Sequence, residues 1–88
     1  MKIRRCGDWL SAKVGDELVM MSAEKGNYLG LSDVGTRVWE LIESPRDMEE
    51  ICEQLEQEYD VPADVCRSEV RSFVDELVKH GAATIVTA

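Results

Sequence analysis

The residues that could do chemistry in this chain are few and widely spaced. His80 is the only histidine, and nucleophilic catalysis would require a serine or cysteine and an orienting group beside it. A zinc site would require about four nitrogen or sulfur ligands, but the three cysteines, Cys6, Cys52 and Cys66, lack the paired spacing of zinc ligands. Cys52 and Cys66 instead fall on apolar helix faces, as buried free thiols do. We therefore expect no catalytic centre, no metal and no cofactor.

The segment Gly30–Thr36 partly matches two catalytic motifs. A phosphate-binding loop of the Walker type needs a lysine directly after its second glycine, and Thr36 stands there. A nucleophile elbow needs one residue between the serine and the following glycine, whereas two separate Ser32 from Gly35. A strand that ends where a capped helix begins accounts for the same residues.

Length and composition indicate one globular domain that spans residues 1–88. The chain is 44% apolar and 32% charged, as soluble domains usually are, and its formal charge of −8 disfavours nucleic acid and anionic membranes. The longest strongly apolar run, Leu18–Met21, is shorter than the roughly 7 apolar residues of a signal peptide and the roughly 18 of a membrane span. We expect a cytoplasmic protein, a monomer, with neither nucleic acid nor membrane as partner.

The hydrophobic period changes from that of strands to that of helices near Ser32. Before this point the pattern predicts a small antiparallel sheet, with a four-residue hairpin loop that ends on a left-handed Gly26. The predicted strands lie around Ser11–Val14, Leu18–Ser22 and Asn27–Leu31. The β-branched segment Ala83–Val86 predicts a short final strand.

Three helices are predicted between Ser32 and Gly81. Ser32 or Asp33 can cap the first helix, whose apolar positions are Val34, Val38, Leu41 and Ile42. Asp47 and Glu50 resemble a capping box for the second helix, and Pro62 suits the first turn of the third. The predicted core line of the third helix is Cys66, Val70, Phe73 and Leu77. The fold class is therefore α+β and winged helix-turn-helix-like, with a three-stranded antiparallel sheet followed by a three-helix bundle.

That outline makes a winged-helix DNA-binding regulator the alternative function. The third helix would then be the recognition helix, which should be basic. Between residues 63 and 80 it carries four acidic and three basic side chains within an acidic domain. Because phosphate contacts supply most non-specific affinity, this charge disfavours DNA.

The strand Asn27–Leu31 contains neither proline nor charge, the residues that usually protect a sheet edge from pairing. An unprotected edge can accept a strand from another chain. The final strand or the N-terminus could also cover it, and the residues alone leave both possibilities open.

The stretch Gly26–Leu41 resembles the PqqD family of RiPP recognition elements, the peptide chaperones of pyrroloquinoline quinone biosynthesis and their relatives. The resemblance continues through Asp47–Ile51 and Glu69–Leu77 to Gly81. It implies a three-stranded sheet packed on three helices. It also implies a non-catalytic function, binding of the leader segment of a ribosomally made precursor peptide for a modifying enzyme. That enzyme is a radical SAM protein in the quinone pathway, or a leader peptidase and cyclase in lasso-peptide pathways. The segment Val34–Trp39 resembles the leader-binding proteins of lasso-peptide pathways more than those of the quinone pathway.

The resemblance implies that the leader pairs with the third strand and lies against the third helix. The strand residues would be Asn27, Tyr28, Leu29, Gly30 and Leu31. On the helix, the flank predicted to contact the leader is Arg67, Arg71, Val74 and Val78, which falls within about 60° of the helix circumference. The valines would extend the apolar stripe beyond the core, and the arginines would hold a leader carboxylate. Alternatively, both arginines pair with acidic side chains of their own surface.

Overall fold

The computed structural model describes residues 2–15, 17–24 and 26–86. Within these residues the first part of the chain forms four strands: β1 (Lys2–Arg5), β2 (Trp9–Val14), β3 (Glu17–Ser22) and β4 (Asn27–Leu31). Strands β2, β3 and β4 pair antiparallel in that order, with Ser11 opposite Met20 and Met20 opposite Leu29. The predicted three-stranded sheet is confirmed.

The β3–β4 hairpin closes on Gly26. Its N–H donates to the carbonyl of Ser22 at 2.7 Å, and its φ of 67° lies in the left-handed region that glycine adopts at little cost. The predicted left-handed Gly26 is thus confirmed. Lys25 of this loop, and Asp16 of the preceding turn, lie outside the described residues.

The predicted three helices are also confirmed in the described part of the chain. They are α1 (Asp33–Leu41), α2 (Met48–Glu58) and α3 (Ala63–Lys79). The Ser32 hydroxyl caps α1 by accepting the Gly35 N–H at 3.1 Å, and the Glu50 side chain accepts the Asp47 N–H at the start of α2 at 3.2 Å. At the end of α3 the Ala82 N–H donates to the Leu77 carbonyl at 2.8 Å, as in a Schellman motif.

A second three-stranded sheet, which the sequence pattern does not predict, brings together the first and last strands of the described chain. Strand β1 lies at its centre, between β5 (Arg46–Asp47) and β6 (Ala83–Val86), and pairs antiparallel with both. The predicted final strand is therefore confirmed as β6. Its partner is β1, not the β2–β3–β4 sheet.

The core is formed by the inner faces of the helices, by buried side chains of β3 and β4, and by Ile3 and Ala83 of the second sheet. On α3 its buried residues are Cys66, Val70, Val74 and Leu77. Phe73 was predicted to be in this line but is only partly buried, whereas Val74, predicted to lie beyond the core, is 1% exposed. The prediction for Val74 is wrong because α3 turns its Val74 side inward and leaves the Phe73 ring at the helix flank. None of the helices in the described ranges is long and apolar enough to cross a membrane.

Candidate functional site

The outer edge of β4 has no partner strand among the described residues. Strand β4 pairs with β3 on one side, and β6 and β1 belong to the other sheet. The final strand and the N-terminal strand therefore do not cover this edge. We refer to it as the open β4 edge.

Side chains of β4 alternate between the two faces of the sheet, as predicted. Leu31 is buried and Leu29 partly buried on the core side, where Asn27 occupies the exposed end of the same face. Tyr28 and Gly30 point to the outer face, and Tyr28 is 72% exposed. A strand added to the open β4 edge would continue both faces.

A groove of about 640 Å³ begins where β4 ends. One wall is the β4–α1 junction and the other is one side of α3. Its lining residues are Ser32, Asp33, Val34, Gly35, Glu69, Ser72, Phe73 and Glu76. The groove therefore begins directly after the last residue of β4 and runs along one side of the third helix.

Phe73 and Gly35 define the floor of this groove. A Cβ atom built on Gly35 would lie 3.1 Å from Cε1 of Phe73 and 3.4 Å from Oγ of Ser32. These distances are at or below close contact, so the absence of a side chain at Gly35 lets the Phe73 ring lie against α1. The aromatic ring and the partly buried Val34 give the groove an apolar base.

The rim of the groove is acidic. Asp33, Glu69 and Glu76 line it, and none of the described lining residues is a lysine or arginine. Asp33 and Glu69 form no salt bridge with any other described residue. The carboxylate of Glu76 lies 3.5 Å from Nε2 of His80.

The arginine flank predicted on α3 faces away from this groove. At 100° per residue, the centre of the flank formed by Arg67, Arg71, Val74 and Val78 lies about 180° around the helix from the centre of the groove side. Arg67 and Arg71 are exposed and Val78 is 41% exposed. Neither arginine forms a salt bridge with a described residue, so the alternative pairing with acidic neighbours is not seen either.

The sequence does not single out the groove side of α3, because a helical wheel places Phe73 and Val74 about symmetrically around the core. A signal was present in Gly35, a glycine in the first turn of an otherwise regular helix. Such a position often marks a close approach by another element, here the Phe73 ring.

The two helix cysteines and His80, which the sequence offered for chemistry, lie in the core or beside an aromatic ring. Burial raises the pKa of the Cys52 and Cys66 thiols, which disfavours the reactive thiolate. The His80 ring meets Trp9 edge-on with ring centroids 6.5 Å apart. Among the described residues, no group of three or more histidine, cysteine, aspartate or glutamate side chains could hold a metal ion.

The family model for coenzyme PQQ synthesis protein D (PqqD) matches residues 17–82, most of the chain. The chain belongs to the PqqD family. That match covers β3, the open β4 edge, all three helices and the groove between them.

Two solved structures share the fold of this PqqD-family chain. TbiB1, solved in complex with the TbiA(beta) leader peptide, is 28% identical with a TM-score of 0.82, over 97% of this chain and 99% of TbiB1. Lasso peptide synthetase B1, solved with its leader peptide, is 18% identical with a TM-score of 0.83, over 97% of this chain and 100% of its own. A search of curated proteins finds no match.

Proposed function

We propose that this chain binds the leader segment of a ribosomally made precursor peptide and presents it to a modifying enzyme. The leader adds as a strand to the open β4 edge and continues into the groove beside α3. The observation that carries the proposal is the position of the groove: it has an apolar base and begins at the end of β4, whose outer edge has no partner strand among the described residues.

Membership of the PqqD family and the likeness to TbiB1, a protein solved with a leader peptide, support the same function. The segment Val34–Trp39, which resembles lasso-type members, and the fold shared with lasso peptide synthetase B1 favour a partner of the lasso-peptide type, a leader peptidase with a cyclase, over a radical SAM protein. A gene for a short precursor peptide beside genes for such a peptidase and cyclase would support this choice. A radical SAM gene in their place would contradict it.

In this proposal the chain performs no catalysis. Ser32 and Ser72 line the groove beside its carboxylates, but neither hydroxyl is hydrogen-bonded to a carboxylate or imidazole among the described residues. The DNA-binding alternative is not supported. The groove side of α3 is acidic, and the whole chain carries a charge of −8.

The experiment begins with peptides selected on the immobilised chain from a display library of random sequences, followed by synthesis of the tightest binder. Backbone amide shifts should change mainly along β4 and the groove residues of α1 and α3. Changes centred on α2 would contradict the proposed site.

N-methylation of the synthetic binder, one residue at a time, tests the mode of binding. In an added strand, alternate N–H groups face the protein, so affinity should fall at every second position. A loss without this alternation would exclude strand addition. Two further measurements test the absence of catalysis. The mass of the binder should be unchanged after incubation with the chain. The His80→Ala variant should bind it within about threefold of the parent chain, a difference below about 0.7 kcal/mol.

A further inference from the structure

The geometry points to a charge requirement in the ligand: the groove selects peptides that place an apolar side chain against Phe73 and carry lysine or arginine beside it. This inference rests on the proposed function and names the class of leader that the chain accepts. The basic residues would lie against Glu69 and Glu76 on α3 and Asp33 on α1.

The apolar part of the requirement comes from the groove base. Phe73 is held between the core and the groove, with one side of its ring against Gly35 and its outer part accessible. Val34 lies beside it as a second partly buried apolar side chain. An apolar ligand side chain would remove the remaining exposed surface of both from water, which favours binding in proportion to the apolar area buried.

The basic part comes from the three carboxylates at the rim. No lysine or arginine is present among the described lining residues, and Asp33 and Glu69 have no salt-bridge partner in the part of the chain that the structure describes. The N-terminus of α1 contributes only about half a positive charge, and Asp33 in its first turn offsets that. The field in the groove is therefore negative, and a ligand with glutamate or aspartate there would meet repulsion.

Spacing along α3 fits a strand that runs beside it. Glu69 and Glu76 are seven residues apart on a helix, which corresponds to about 10.5 Å. A strand covers that distance in about three residues. Residues on one face of a strand are two or four positions apart, so their spacing is slightly shorter or longer than that of the two carboxylates. Lysine and arginine side chains are long enough to make up this mismatch, so two such residues on one face of the added strand can each reach a carboxylate.

The test compares peptide pools selected from one display library on four forms of the chain. The first two are the parent and the double variant Glu69→Gln with Glu76→Gln, which keeps side-chain shape and removes both rim charges of α3. The matched control is Glu49→Gln with Glu53→Gln, which makes the same change in net charge on the exposed face of α2. The fourth form, Phe73→Ala, removes the apolar base.

We expect lysine and arginine to be enriched in peptides selected on the parent and on the α2 control, and not on the groove double variant. A synthetic peptide from the parent pool should bind the groove double variant about fivefold or more weakly, or about 1 kcal/mol, because exposed ion pairs contribute modestly. It should bind the α2 control within about twofold. Its affinity for the parent should fall as salt rises.

The outcomes separate this inference from the proposed function. Peptides that perturb β4 and the groove, but carry no excess of basic residues and bind the groove double variant equally well, would overturn the charge requirement and leave strand addition standing. Equal losses in the groove double variant and the α2 control would also overturn it, because overall charge would then be the cause. Selected peptides that leave β4 unperturbed would contradict the proposed function itself.

Discussion

At the scale of single residues, the pair Gly35 and Phe73 decides the shape of the groove. Glycine within a helix costs about 1 kcal/mol relative to alanine, so Gly35 weakens α1 locally. However, the missing side chain lets the Phe73 ring lie closer to the α1 backbone than a methyl group at position 35 would allow. The same ring forms the base against which an apolar ligand side chain would pack.

Gly35→Ala should therefore separate binding from stability. The new methyl group would stand 3.1 Å from the ring and push Phe73 toward the groove, while alanine improves the helix. We expect the free energy of unfolding to change by less than about 1 kcal/mol and the affinity for the selected peptide to fall about tenfold, or 1.4 kcal/mol. Urea unfolding and fluorescence anisotropy measure the two quantities.

The control for Gly35→Ala is the same change made together with Phe73→Leu. A smaller, flexible side chain can give way, so the additional loss of affinity caused by alanine should shrink in this background. An undiminished loss would show that Gly35 acts through something other than the ring.

The two flanks of α3 make opposite predictions for charge reversal at Arg71. If the arginine flank held the leader, Arg71→Glu would weaken binding by about tenfold or more, roughly 1.4 kcal/mol. Because the groove lies on the other side of the helix, we expect the affinity to change by less than about twofold. Calorimetric titration with the selected peptide measures this, and Glu69→Lys serves as the comparison that should weaken binding of a basic peptide. A tenfold loss in Arg71→Glu would move the helix part of the site to the arginine flank.

At the scale of elements, the junction between β4 and α1 fixes the edge relative to the groove. The Ser32 hydroxyl accepts the Gly35 N–H and so starts α1 directly after the strand. This cap sets the direction in which Asp33 and Val34 enter the groove wall.

Ser32→Ala should lower the free energy of unfolding by about 1 kcal/mol, the usual contribution of a serine N-cap. Urea unfolding followed by circular dichroism measures the change. Ser72→Ala is the matched control, since Ser72 also lines the groove but lies within α3 and caps no helix. We expect that control to be as stable as the parent or slightly more stable; an equal loss in both variants would contradict the capping role.

The sequence predicted those elements whose signals are local. Strands β2 to β4, the Gly26 turn and the starts of the helices each depend on residues close together in the chain. Strand β1 was missed because its pairing with β6 joins residues at opposite ends of the sequence, from Arg5 with Ala83 to Lys2 with Val86, and no turn marks it. Strand β5 is two residues long and has no periodicity to detect. The assignment of Phe73 and Val74 depended on the rotation of α3, which the partner helices determine.

At the scale of the whole molecule, the two sheets have different neighbours. The β1–β5–β6 sheet joins the chain ends to the α1–α2 connection and buries Ile3 in the core. The Arg5 guanidinium lies 4.2 Å from the centre of the Trp39 ring and donates to the Trp39 carbonyl, which attaches this sheet to α1. The other sheet carries the open β4 edge. We infer that the β1–β5–β6 sheet chiefly stabilises the fold and that the β2–β3–β4 sheet chiefly binds the peptide.

Substitutions at Ile3 and Phe73 test this division. Ile3→Val removes one buried methyl group and should cost about 0.5–1.5 kcal/mol of unfolding free energy, and Ile3→Ala about 2–5 kcal/mol. Because Ile3 lies in the other sheet and does not line the groove, affinity for the selected peptide should stay within about twofold wherever the variant is folded. Circular dichroism at each temperature of titration shows whether the variant is folded. Phe73→Ala should affect binding more than stability. Its affinity for the selected peptide should fall about tenfold or more, or 1.4 kcal/mol. Its loss of unfolding free energy should be smaller than that of Ile3→Ala, because the ring is only partly buried. If Ile3→Val weakened binding as much as Phe73→Ala did, the two sheets would be coupled and the division would be wrong.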